Sequence, residues 1–262
     1  VGTLVLLSRK EALRAVLSVP RRRRAVILMS LLIGGNWFVF IYAVSIEQVV
    51  QASLGYYINP LFSILLGTVV LRERLGIVQF TAVILAAIGV TILTVRFGAV
   101  PWIALALTFT FGCYGLVKKR AGLDSLTGLA LETTLLAPLA LALIGFWSDG
   151  GGAFFTGTLE TRILLVLSGA ATALPLYWFA QGAKRVPLSQ IGFTQYIGPS
   201  LMLLIGVLLF GEPFTTTHAV SFGIIWTALA LYSLSHTPLL RRADRTEVRL
   251  SGFRAGTQRN RR

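Results

Sequence analysis

The sequence predicts an all-α, polytopic membrane helix bundle assembled from an inverted repeat, and three observations carry the prediction. Of 262 residues, 55% are hydrophobic and 13% charged, with a mean hydropathy of +0.76; that composition leaves too little polar surface to clothe a water-soluble fold. Eight apolar runs reach the roughly 17 to 25 residues that a helix needs to cross the hydrocarbon core. The stretch 36–94 then returns without a gap as 175–233 at an offset of 139 (199 minus 60). That offset pairs Phe40 with Phe179, Tyr57 with Tyr196, Pro60 with Pro199, Gly67 with Gly206 and Glu73 with Glu212. One unit was duplicated, and inverted duplication is the build of secondary transporters, whose substrate site lies between the halves near the bilayer midplane.

Taken from the N-terminus, residues 1–7 are apolar and read as the last turns of a lost helix. Residues 8–24 read as a basic cytoplasmic connector, with Pro20 and four arginines at its end, lying on anionic headgroups. This segment, 1–24, precedes the remainder of a first repeat, 25–95, with spans at 25–45, 48–71 and 77–95. A second repeat, 101–235, carries spans at 101–117, 126–146, 163–180, 188–210 and 217–235, with a long external loop around Gly150, Gly151 and Gly152. Spans one to three match spans six to eight. The spans at 101–117 and 126–146 have no counterpart in the first copy, because 139 positions before Pro101 lies ahead of Val1. The expectation is a parent of five plus five helices, about eight of them present here, with an N-terminal truncation. An odd number of crossings per copy is what turns the second copy upside down. The tail, 236–262, holds eight arginines and few apolar residues, the composition of a disordered cytoplasmic segment.

The formal charge of +14 belongs to topology. With the N-terminus in the cytoplasm, 22 of the 24 lysines and arginines fall on the cytoplasmic side and only Arg96 and Arg162 outside, which is the positive-inside distribution. Both termini are then cytoplasmic, and no nucleic-acid partner is needed to explain the charge. Cys113 is the sole cysteine, and His218 and His236 are the two histidines, so neither a disulfide nor a metal centre has its ligands. No GxxxxGK(S/T) pattern for ATP occurs. No cofactor is expected, and no enzymatic chemistry.

A helical proline leaves the carbonyl four residues earlier without its donor and kinks the helix. Pro60 and Pro199 fall mid-span, freeing the carbonyls of Tyr56 and Gln195 at matching depths, and in lipid such backbone is tolerated only against protein or a watery cavity. Ser53, Tyr56, Tyr57 and Asn59 gather around the first proline, Thr194, Gln195 and Tyr196 around the second, and this cluster is the expected solute pathway. The alternative is that these polar groups only bond neighbouring helices. Asn36 and Trp37 add an amide beside an indole, suited to a planar or amphipathic solute. Pro175, Tyr177, Trp178 and Gln181 occupy the corresponding stretch of the second copy, where Trp178 reads equally as an interfacial anchor. Glu132 is the only acid well inside a span. Intramembrane carboxylates are expensive and, as a rule, functional, so it is the candidate for proton coupling; its alternative is an ion pair with Lys118, Lys119 or Arg120. Glu73 and Glu212 end their helices and read as partners of loop backbone or of basic neighbours such as Arg72 and Arg74. Ala104, Thr108 and Gly112, like Ser63 and Gly67, are small residues at four-residue spacing that permit close helix packing.

Read in order, Asn36-Trp37 and the stretches 52–61 (ASLGYYINPL), 71–75 (LRERL), 101–105 (PWIAL), 111–116 (FGCYGL), 172–176 (TALPL), 195–199 (QYIGP) and 222–226 (FGIIW) resemble the RarD-type permeases of the EamA family, in the drug/metabolite transporter superfamily. The likeness runs from Arg9 to Ser235. It implies a ten-helix inner-membrane carrier working by alternating access, associated by name with chloramphenicol sensitivity, and it brings no catalytic residue. The expected function is secondary transport of a small organic solute, with efflux favoured and protons as the driving ion. A non-transporting membrane scaffold, or an inactive truncated remnant, is the alternative. The expected partners are that solute and the lipid bilayer, with anionic headgroups at the basic loops and a homodimer as a candidate assembly.

Overall fold

The computed structural model describes residues 16, 18–96, 101–147, 156–209 and 214–235. The expectations for residues 1–15, Gly150 to Gly152, Glu212, His236 and the tail lie outside them. Within them the chain forms nine helices: α1 (Pro20–Ser45), α2 (Val49–Val69), α3 (Ile77–Arg96), α4 (Trp102–Ala121), α5 (Ser125–Trp147), α6 (Leu159–Arg185), α7 (Leu188–Gln195), α8 (Ile197–Leu209) and α9 (Thr216–Ser235). The repeat is written into these bounds. Moved by 139 positions, the starts of α1, α2 and α3 fall on those of α6, α7 and α9, at Leu159, Leu188 and Thr216, and the end of α3 falls on Ser235.

Local signals set the helix ends. Pro20 sits in the first turn of α1, where its missing N–H has no intrahelical partner to lose. Thr158 caps α6 by accepting from the Thr161 N–H at 3.3 Å, and Lys184 and Arg185 occupy the last turn, against the negative end of the helix dipole. α6 therefore outruns the expected 163–180 at both ends, because a helix stops at its caps and not at the edge of its apolar run. α4 ends in Gly122 at φ +58°, after Lys118, Lys119 and Arg120.

Six of these helices, α1, α2, α3, α5, α6 and α9, contain stretches long and apolar enough to cross a membrane. The two remaining expected spans differ for visible reasons. Span 101–117 is α4, whose last turn is cationic, and 188–210 is two helices, α7 and α8, parted at Tyr196. On α6 the five consecutive side chains Ile163, Leu164, Leu165, Val166 and Leu167 are all exposed. Left in water, such a girdle would cost about 25 cal/mol for each Å² of apolar surface; in hydrocarbon it costs nothing. The chain is a multi-pass membrane protein.

Equivalent helices of the two copies run antiparallel. Gly89 of α3 lies against α9, so that a Cβ there would sit 2.9 Å from the Ser221 carbonyl, while Ala82, earlier on α3, clusters with Tyr232, later on α9. On α2 and α7 the order is reversed in the same way: Pro60 and Ile64 meet Gly192, and Gly67 meets Ser189. This is the inverted arrangement that the odd crossing number predicts.

α4 packs along α1 and α2. Its small residues form the seam. A Cβ on Gly112 would fall 2.4 Å from the Phe62 ring, and Gly55 of α2 faces Ala104 and Leu107. Thr108 Oγ1 donates to the Gly55 carbonyl at 3.2 Å. One end of the bundle gathers Arg21 to Arg24, Lys118 to Arg120, Lys184 and Arg185, and is here called the basic end. There Glu73, in the segment between α2 and α3, accepts from the Leu188 N–H at 2.7 Å, the Ser189 N–H at 2.9 Å and the Ser189 hydroxyl at 2.8 Å. Lys119 Nζ lies 3.7 Å from the same carboxylate.

Candidate functional site

Where the two copies face each other, the helices leave a cavity of about 680 Å³. Its wall comes from α1, α2, α4 and α6, and from both sides of the gap between α7 and α8. Trp37 and Phe40, Tyr56, Phe111 and Phe179 give it aromatic faces; Asn36, Asn59, Thr172 and Gln195 give it polar points, and among the described residues no charged one lines it. A smaller space of about 410 Å³ adjoins it at Trp37, Phe40, Thr172 and Leu176 and reaches toward α5.

The floor is a bond between the copies. Asn59 Nδ2 donates to Gln195 Oε1 at 2.9 Å, which uses one polar end of each amide. Asn59 Oδ1 and Gln195 Nε2 are buried and have no hydrogen-bond partner, and a buried unmatched group of this kind costs about 1–3 kcal/mol. Asn36 is committed differently. Its Nδ2 donates to the Leu107 carbonyl at 2.9 Å and to Thr110 Oγ1 at 2.8 Å, so the amide braces α1 on α4 at the cavity wall. The helix gap at Tyr196 brings Gln195, Gly198 and Pro199 to the cavity together. Beyond it the Ser200 N–H and hydroxyl both bond the Tyr196 carbonyl, at 3.2 and 2.8 Å.

Of the expected pathway residues, Asn36, Trp37, Tyr56, Asn59, Gln195 and Pro199 line this cavity. Ser53, Tyr57, Pro60, Gln181 and Tyr196 stand outside its lining. Tyr57 packs edge-on against Phe222, centroids 5.4 Å apart. Tyr196 is buried among Ala86, Val90 and Ile225, Gln181 donates to the Tyr177 hydroxyl at 3.0 Å, and Ser53 is half-buried on α2. Pro60 is buried inside an uninterrupted α2. Pro175 joins the lining, whereas Trp178 is exposed. The aromatic walls at Phe40, Phe111 and Phe179 were not singled out from sequence. Phe40 and Phe179 carried a signal as repeat equivalents; Phe111 carried only its place in the 111–116 stretch.

Glu132 lies off the cavity, 2% exposed on α5. Lys118 Nζ donates to Oε1 at 3.0 Å and Oε2 at 3.2 Å, and the Tyr114 hydroxyl donates to Oε2 at 3.0 Å. Among the three cations considered, Lys118 takes the carboxylate; Lys119 donates to the Ala183 and Val186 carbonyls and Arg120 to the Val70 carbonyl. The Tyr114 ring stacks on Phe179, 6.2 Å between centroids, and so touches the cavity wall from behind. Among the described residues, no group of three His, Cys, Asp or Glu side chains is placed to hold a metal ion.

The model of the EamA-like transporter family matches residues 1–95. The uncharacterized transporter YojE of Bacillus subtilis is 48% identical over 213 residues, 80% of this chain and 70% of its own. Protein RarD of Escherichia coli is 38% identical over 234 residues, covering 89% and 79%. The chloramphenicol-sensitive protein RarD of Pseudomonas aeruginosa is 31% identical over 213 residues, covering 81% and 71%. Among solved structures, one crystal structure of a protein superposes with a TM-score of 0.66 at 20% identity, over 93% of this chain and 84% of that one, a likeness in fold alone.

Proposed function

We propose that this chain, which belongs to the EamA-like transporter family and within it to the RarD-type permeases, is a secondary transporter that moves a small organic solute by alternating access. It lies in the inner membrane with both termini cytoplasmic, a placement supported by the positive-inside distribution. The observation that carries the reading is the uncharged, aromatic-walled cavity between two antiparallel copies, with the Asn59–Gln195 bond as its floor.

The wall chemistry selects the cargo. Without a charge to pair, the site favours a neutral solute, and the rings of Trp37, Phe40, Tyr56, Phe111 and Phe179 favour a planar one. The acceptor left on Asn59 and the donor left on Gln195 favour a solute that carries an N–H or O–H beside a C=O. Both atoms are buried, so the solute meets them as the amides turn about their last side-chain bonds. Efflux is the direction, and Glu132 is the proton-coupling group. Protonating it would release Lys118 and Tyr114, and through the Tyr114–Phe179 stack the change would reach the wall.

Chloramphenicol, taken from the name of the Pseudomonas aeruginosa relative, is the first probe. Reconstituted protein is expected to trap radiolabelled chloramphenicol by counterflow above protein-free liposomes, and Asn59→Ala and Gln195→Ala to lose up to about tenfold, one hydrogen bond's worth. If both variants matched wild type while counterflow was present, the floor would not be the binding site. If trapping equalled that of protein-free liposomes for chloramphenicol and for a panel of neutral aromatic amides, transport itself would be refuted. Retention of pH-gradient dependence by Glu132→Gln would remove Glu132 from the proton route.

A further inference from the structure

We infer that Glu73 is a latch that holds the basic end of the solute pathway shut; the inference rests on the transport reading above. On α1 and α2 the cavity lining runs from Ile33 to Phe40 and from Asn59 back to Ala52, away from the end that carries Arg21 to Arg24, and on α6 it runs from Thr172 to Phe179, toward Lys184 and Arg185. Toward the basic end the space closes on apolar packing, in which Leu188, Ile191 and Ala183 meet Leu66, Leu116 and Phe179. Phe179 belongs to both the plug and the cavity wall.

Below that plug the copies are tied by polar bonds that run from one copy to the other. α7 begins after Pro187, which offers its first N–H groups no side-chain cap, and a helix start without a cap seeks an acceptor. The Glu73 carboxylate, reaching from the other copy, takes two of those N–H groups and the Ser189 hydroxyl. Its negative charge also suits the positive end of the helix dipole. Lys119 joins the cluster by pairing with Glu73 and donating to the Val186 carbonyl, and Arg120 donates to the Val70 carbonyl at the end of α2. The end of α2, the end of α4 and the turn between α6 and α7 are thereby fastened at one point.

The chain makes room for this. A Cβ on Gly67 would lie 2.6 Å from Glu73 Oε2 and 3.0 Å from the Ser189 nitrogen, so only a bare backbone lets the carboxylate seat. Arg72, at φ +56°, turns the segment in the left-handed region to bring Glu73 over α7. Partial exposure makes the contact reversible. The Glu73 and Lys119 side chains are 14% and 22% exposed, against 2% and 6% for Glu132 and Lys118, so water can replace the bonds of the first pair as they part. Glu73 acts as a positioning residue for transport, since it sets which end of the pathway is closed without touching the cavity.

The test is sided labelling of the full chain in membrane vesicles of both orientations. A single thiol is placed in the cavity wall (Leu176→Cys with Cys113→Ala) and probed with a membrane-impermeant maleimide. With Glu73 intact, labelling is expected to be fast from the face opposite Arg21 to Arg24 and slow from the basic face. Glu73→Gln, and independently Gly67→Ala, which displaces the carboxylate without removing its charge, are expected to speed labelling from the basic face about tenfold. Unchanged two-sided rates in both variants, with the thiol still reachable from the far face, would overturn the latch alone. A thiol protected from both faces in every variant would overturn the transport reading, and the latch with it.

Discussion

The two copies carry the same Tyr-Ile-x-Pro motif and fold it differently. Around Pro60, α2 is one unbroken helix of 21 residues; around Pro199, the equivalent stretch parts at Tyr196 into α7 and α8. An interior proline costs a helix about 3 kcal/mol wherever it occurs, so the motif alone does not decide. Two neighbours of the motif do. The residue before the proline is Asn59 in the first copy and Gly198 in the second, and glycine disfavours a helix by about 1 kcal/mol relative to alanine. Packing adds the larger share. α2 is gripped by α4, with Phe62 against Gly112 and Gly55 against Ala104, and by α7 at Gly192, whereas Leu201, Leu204, Ile205 and Leu208 of α8 are exposed. A proline is absorbed where the helix is held on two sides, and it opens a gap where it is not.

The comparison breaks first at α4, the helix that does the gripping. α4 is anchored to α5 by Lys118 and Glu132, and Lys118→Met would strand a buried carboxylate. The expected loss is about 3–5 kcal/mol of stability, read as a fall in the unfolding midpoint in detergent, with most of it recovered in Lys118→Met/Glu132→Gln. A single variant as stable as wild type would mean that α4 is held by something else. Gly112→Leu strikes the grip itself, driving Phe62 out of its notch. It should cost about 1–3 kcal/mol, and hydrogen exchange of the amides around Pro60 should quicken, as α2 becomes more like its twin. Exchange confined to α4 would count against packing as the reason for continuity. The smallest change runs the other way. A Cβ on Gly198 meets nothing within 4 Å, so Gly198→Ala should stabilise by about 0.5–1 kcal/mol, slow exchange at residues 196–200 and slow transport. Faster exchange there would show that glycine is not what keeps the gap open.

The fold was legible because the repeat supplied an internal ruler. Moving the starts of α1, α2 and α3 by the offset lands on those of α6, α7 and α9, since the same apolar runs recur. The gap at Tyr196 was not legible, because it depends on what packs against each motif and a single strand of text does not show that. The floor was half legible. Asn59 and Gln195 were both expected near the pathway, yet they pair across non-equivalent positions, Asn59 matching Gly198 and Gln195 matching Tyr56, so no fixed offset reveals their bond. Glu132 offered three cations, and helix phase separates them. Lys118 follows Tyr114 by four residues and shares its face, while Lys119 and Arg120 are turned toward α6 and α2.

Gly192 sits on Pro60 with so little room that a Cβ would come within 2.6 Å of the proline carbonyl. At that crossing the Gly192 main chain rests on main chain, with the Ile64 side chain beside it. Rotation about it would shift one aliphatic side chain, whereas rotation along the α2–α4 seam would pull a phenyl ring from its socket. If the halves swing against each other, their bearing is this bare spot, and a methyl group added there would act as grit.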